Sequence, residues 1–193
     1  MEPIALILLG IGLAAATGFR VFVPPLMMAL GHQLGWIDLP GEAGWLENPT
    51  ALALLGVATF AELIAFYVPF VDNLLDAVAT PAALVAGTLV AGTVFPDVAP
   101  WLDWTAAAIV GGGAAGTVQM FTSLTRATST GTTAGLGNPI VATGEWVSAV
   151  LLTVLSFIAP VLAGVAVLAL IVFGVRLLSR RRKGRGVGGV QGR

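Results

Sequence analysis

The chain has 193 residues, of which 57% are hydrophobic and only 10% charged. Soluble domains carry about 25% charged residues, so this balance excludes an ordinary soluble globule and points to an integral membrane protein. The net charge is −1, there is no Cys, and His32 is the single His, which excludes disulfides, thiolate nucleophiles and histidine-based metal clusters.

The segment MEPIALILLGIG has Glu2 and no basic residue ahead of its apolar run. A cleavable signal has a positive leading region, so residues 3–19 are read as part of the mature first helix. That helix is disturbed at Gly18 and again at Pro24–Pro25, where proline removes a backbone donor. Residues 31–49 read as a Gly- and Pro-bearing loop with Asp38, Glu42 and Glu47. A second helix is predicted over 50–68, a polar break with Asp72, Asn73 and Asp76 over 68–81, and a third helix over 81–95 opened by Pro81. A Pro-rich turn follows at 95–104, and a fourth helix runs from 104 into TSLTRATSTGTTAGLGNP, residues 122–139. As one helix, residues 139–178 would span about 60 Å, roughly twice a hydrocarbon core. Pro160 is therefore expected to divide them into two helices, one long kinked helix being the alternative.

The expected fold class is thus all-α: a polytopic membrane protein of about six transmembrane helices, some broken or kinked. The halves resemble each other. Setting residues 20–33 over 126–139 aligns Arg20 with Arg126, Leu30 with Leu136 and Gly31 with Gly137. Each half reads as helix with Arg, link, helix with Glu (Glu62 or Glu145), proline, helix. Three helices per half require the halves to insert with opposite orientation, an inverted repeat. The expected organisation is a first three-helix repeat over 1–100, a second over 101–178, and a basic cytoplasmic tail over 179–193, disordered at its Gly-rich end.

Charged groups within apolar helices usually face the protein interior and pair, because insertion costs at least about 2.5–3.5 kcal/mol each. Arg20, Arg126, Glu62 and Glu145 are in this position. The expectation is that the two arginines lie near a pseudo-twofold axis with Glu62 and Glu145 as counter-ions. Eight of the eighteen residues 122–139 are Ser or Thr. They can satisfy backbone groups freed at a helix break, or line a polar cavity with Arg126 that accepts an anion. On the second reading the binding set is Arg20, Arg126, Thr122, Thr125, Ser129, Thr130 and Asn138. No metal site and no cofactor are expected. The Gly111–Gly116 run lacks the Lys-Ser/Thr of a phosphate-binding loop. With Gly87 and Ala91 it offers small-residue faces for close helix packing, within the chain, in a homo-oligomer or in a larger membrane complex.

The stretches GLAAATGFRVFVPPL, AELIAFYVPFVDNLLDAVATP and TRATSTGTTAGLGNPIVATGEW resemble a family of bacterial integral membrane proteins catalogued as domain of unknown function 4126. The resemblance covers roughly residues 5–175 and leaves out the basic tail. It implies a multi-pass protein of the bacterial inner membrane and transfers no activity and no site residue. The leading functional expectation is a small transporter or channel for an anion or anionic headgroup, centred on Arg20/Arg126 and Glu62/Glu145. The alternative is a membrane-embedded scaffold or accessory subunit. An intramembrane enzyme ranks lowest, since only Asp/Glu chemistry or an unusual hydroxyl nucleophile is left. The expected partner is the lipid bilayer, with the tail touching anionic lipid; nucleic acid is not expected.

Seven of the nine basic residues lie at or after Arg176, which places the C-terminus in the cytoplasm by the positive-inside rule. With an even number of spans both termini are cytoplasmic. The acidic loops, with Trp36, Trp45, Trp101 and Trp104, then lie at the opposite face, where Trp favours the interface. Cysteines introduced at Glu42 and at Gly188 are expected to react with an impermeant maleimide from opposite sides of the membrane; labelling from one side would refute this topology.

Overall fold

The computed structural model describes residues 2–39, 41–95 and 100–186, and these residues are all-helical, without a strand. In chain order the α-helices are α1 (Pro3–Thr17), α2 (Val23–Gln33), α3 (Pro49–Ala65), α4 (Pro69–Val94), α5 (Pro100–Ala106), α6 (Gly113–Thr133), α7 (Asn138–Ile158) and α8 (Pro160–Gly186). A 3₁₀ turn (Gly41–Glu47) precedes α3, and a π-helical turn (Ala107–Gly112) joins α5 to α6. Proline is the first residue of α1, α3, α4, α5 and α8. There its missing N–H costs nothing, because the first-turn donors have no partner within the helix.

α1 is the central helix, touching α4, α6, α7 and α8. Its second half, from Leu9 through Thr17, is almost entirely buried. Small residues allow these approaches: Gly12 meets Ser156 and Ala163, and Gly10 meets the Phe95 ring. α4 lies along the π-turn and α6. At the crossing, Gly87 and Gly111 bring the two backbones together. A Cβ on Gly111 would meet Ala91 and stand 2.7 Å from the Gly87 carbonyl oxygen; one on Gly87 would meet Ala115 and stand 2.9 Å from the Gly111 oxygen. Because α1 packs on α8 and α4 packs on α6, the two halves of the chain interlock rather than forming separate units.

Two helical stretches, Ala77–Val94 and Asn138–Ile158, are long and apolar enough to cross a membrane. Large apolar side chains are exposed along α3 (Leu54, Val57, Phe60, Ile64), α7 (Ile140, Val147, Leu151) and α8 (Val161, Leu162, Val165, Leu168). Exposure on this scale is uncommon for a water-soluble monomer.

Several boundaries differ from the sequence expectation. Residues 68–81 are not a polar break: α4 runs unbroken from Pro69 to Val94 with Pro81 inside it. Its buried stripe, Ala79, Ala83, Val90, Val94, continues across the proline at helical spacing, so packing on both sides outweighs the one backbone hydrogen bond that Pro81 cannot make. The expected turn at 95–104 is already helical from Pro100; residues 96–99 lie outside the described residues. α8 continues into the basic tail, through Gly186. Adding residues to a formed helix is far easier than nucleating one, and Leu, Arg and Lys are good helix formers. Residues 187–193 lie outside the described residues. Pro160 does separate two helices, with Ala159 at φ −144°, ψ 73° between them.

Replacing Gly111 by Ala forces a methyl group against backbone and is expected to destabilise the protein by about 1–3 kcal/mol. Gly113→Ala, at an exposed site with open space around it, is expected to be neutral or slightly stabilising. Thermal unfolding of the two purified variants checks this; equal effects would remove the α4–π-turn crossing as a close backbone contact.

Candidate functional site

The site begins where α1 stops. Gly18 has no room for a side chain, since a Cβ there would meet the Ala115 carbonyl oxygen and Val118. The chain turns off α1 at this close approach, with the Phe19 and Arg20 amides still donating to the Ala16 carbonyl. Arg20 thus lies in the five-residue gap before α2, turned into the protein and only 2% exposed.

Three elements from both halves of the chain converge there. Arg20 donates from Nη2 to Glu145 Oε2 at 2.8 Å and to the Ala142 carbonyl oxygen at 3.1 Å. Arg126, from α6, donates from Nε to Glu145 Oε1 at 3.0 Å and from Nη2 to Oε2. Glu145, on α7, therefore takes the forked guanidinium of Arg126 on both oxygens and shares one oxygen with Arg20. Arg126 is 3% exposed and Glu145 5%. Both guanidiniums also lie against the Phe66 ring, 3.9 Å and 4.0 Å from its centroid. A desolvated cation over an aromatic face is worth about 2 kcal/mol, so Phe66 compensates part of the hydration the arginines lose.

Glu62 lies within electrostatic reach of both arginines and has a further role. Its Oε1 accepts the Val21 amide at 3.0 Å and its Oε2 the Phe22 amide at 3.3 Å. Phe22 is the N-cap of α2. The carboxylate of α3 thus satisfies donors exposed by the helix break and sits at the positive end of α2.

The hydroxyl-rich stretch is mostly helix, through Thr133 in α6, followed by a turn with Ala134 and Gly135 at φ 51° and 87°. Thr122 is buried beside Arg126, bonded to the Gln119 carbonyl at 2.9 Å. Ser129 is half-buried. Thr125 and Thr130 are exposed. Thr125, Thr128, Thr132 and Thr133 donate to the carbonyl four residues back in their own helix. Serine and threonine in a helix satisfy themselves this way readily, which accounts for most of the hydroxyl density. Asn138 is buried at the start of α7 and donates to Thr130 Oγ1 at 3.1 Å, tying the two helices across the turn. The site residue missed in the sequence is Phe66; its signal was an aromatic four positions after the buried Glu62.

The model of the family described as domain of unknown function (DUF4126) matches residues 7–180. The chain belongs to this family. No curated protein and no solved structure matches it. The family description carries no activity.

Glu145→Gln leaves two buried guanidiniums without their shared carboxylate, and an expected loss of about 3–5 kcal/mol follows from breaking a buried pair. Glu62→Gln keeps one acceptor oxygen for the backbone amides and is expected to lose less, about 1–3 kcal/mol. Thermal unfolding ranks the two, and a double-mutant cycle between Arg126 and Glu145 measures their coupling. Equal losses would show that Glu145 is not the central partner.

Proposed function

We propose that the chain is a multi-pass protein of the bacterial inner membrane, with about six spans and both ends cytoplasmic, that moves a small anion or anionic headgroup across the bilayer. The observation that carries the reading is the convergence of Arg20 and Arg126, one from each half, on a single carboxylate oxygen of Glu145. Two guanidiniums focused on one point are a binding geometry for an anion. Glu145 is then the resident anion, holding the site until a substrate anion takes its place. The α1–α2 break supports the reading, because irregular backbone at membrane depth is tolerated where it lies buried in protein or lines a cavity. So does the π-turn, a distortion frequent at functional sites. The interlocked packing of α1 on α8 and α4 on α6 has the exchange expected of inverted repeats.

A second reading, a membrane-embedded scaffold, is favoured by one observation: Arg20, Arg126 and Glu145 are buried and packed on each other and on Phe66. Flux separates the readings. Proteoliposomes containing the protein are loaded with a panel of inorganic anions and organic phosphates, and efflux is compared with protein-free vesicles. Arg126→Lys keeps the charge and loses the planar fork. It is expected to slow flux about tenfold or more, the effect of losing one charge-assisted hydrogen bond, while lowering the unfolding temperature less than Glu145→Gln does, because the charge opposite Glu145 is kept. Wild-type flux in the lysine variant would exclude Arg126 as the anion ligand. No flux for any anion in the wild type would leave the scaffold.

A further inference from the structure

A second site lies on the other side of Glu62, facing outward between α3 and α4. These helices diverge and leave a cleft of about 400 Å³, within the size range of small-molecule sites. Its walls are two helical faces of matching register: Ala58, Ala61, Glu62 and Ala65 on α3, and Leu75, Val78, Ala79 and Ala82 on α4, with Val21, Phe22 and Phe66 closing the inner end. Glu62 is the one ionisable group among these lining residues. Each Glu62 oxygen accepts one backbone amide and keeps a further acceptor position. The result is an apolar slot with a carboxylate at its end, held rigidly because both of its oxygens are tied to the start of α2.

We propose that this cleft binds a lipophilic primary amine, its ammonium donating to Glu62 and its hydrocarbon chain lying between α3 and α4. The inference does not rest on the anion reading of the arginine cluster. An ammonium group has three donors for the remaining acceptor positions of Glu62. The alanine-lined walls suit a slender alkyl chain and offer no hydrogen bonds to a polar body. Two sources of a primary ammonium differ in what else they bring. An aminophospholipid brings a phosphate beside its ammonium, and none of the described residues lining the cleft is basic; the guanidiniums of Arg20 and Arg126 lie behind Phe66. A simple alkylammonium carries no such cost.

The test uses the full chain in phosphatidylcholine nanodiscs, with dodecylamine as the ligand and dodecanol and dodecyl phosphate as matched neutral and anionic controls. Binding is read by native mass spectrometry and by the shift in unfolding temperature. One saturable equivalent of dodecylamine is expected, with the two controls much weaker. Glu62→Gln is expected to weaken it about tenfold or more, the loss of a charge-assisted hydrogen bond. Glu62 also satisfies the start of α2, so its loss could disturb the fold. Ala61→Leu and Ala82→Leu therefore fill the slot from either wall while leaving Glu62 and the arginine cluster untouched, and both are expected to abolish binding at an unchanged unfolding temperature. The proposal is overturned if dodecanol binds as well as dodecylamine, if the leucine variants bind normally, or if phosphatidylethanolamine in the nanodisc displaces the amine as effectively as free amine does.

Discussion

The carboxylate of Glu145 is the constraint on which the interior depends. Two arginines are turned inward, and each would be very costly to bury alone. Arg20 comes from a gap between helices and Arg126 from the middle of α6, so neither backbone dictates the position of the other. Glu145 brings them to one point and thereby sets α7 against both the α1–α2 break and α6. Phe66 closes the group from α3. Four separate stretches of chain are registered by one ionic node whose members are almost fully withdrawn from the surface. Such nodes contribute little net stability compared with an apolar core of the same volume. Their consequence is specificity: an alternative packing would strand a charge.

The second constraint is the break itself. Ending α1 at Thr17 and restarting at Val23 exposes backbone donors inside the protein. Gly18 permits the close approach to α6 that forces the break, and Glu62 satisfies the amides it exposes. The two acidic residues therefore differ in what they bond: Glu145 bonds the two guanidiniums, and Glu62 bonds a helix end. This difference leaves Glu62 at a boundary, with the arginine-bearing interior on one side and the apolar cleft on the other. The proposed anion and amine sites are adjacent but chemically opposite, and each takes its character from which carboxylate it contains.

Small residues set the rest of the packing. The Gly87–Gly111 crossing and the Gly12 contact with Ser156 and Ala163 let helices approach at backbone distance. α3 lacks comparable contacts. It carries one buried residue, Thr59, and large apolar side chains along its outer face. Its loose association with α4 is what opens the cleft beside Glu62.

Composition and pattern in the sequence alone determined that the chain is helical and apolar, that the first helix opens near Pro3, that Pro160 separates α7 from α8, and that Arg20, Arg126, Glu62 and Glu145 are the charged residues within apolar segments. These are local matters: hydropathy, capping chemistry and the geometry of proline act over a few residues. Tertiary structure decided the rest. Pro81 looked like a helix start, but a buried stripe on both sides of it carries α4 through. The hydroxyls of 122–139 left backbone satisfaction and anion binding both open in the sequence; most of them donate to carbonyls one turn back, which composition cannot reveal. The pairing of the charges was not legible either. Two arginines and two glutamates allow several partnerships, and only the fold shows that both arginines meet on Glu145 while Glu62, within electrostatic reach of both, bonds the backbone amides of a helix start. That choice depends on distances between residues as far apart as Arg20 and Glu145 in the chain, and no local pattern encodes it.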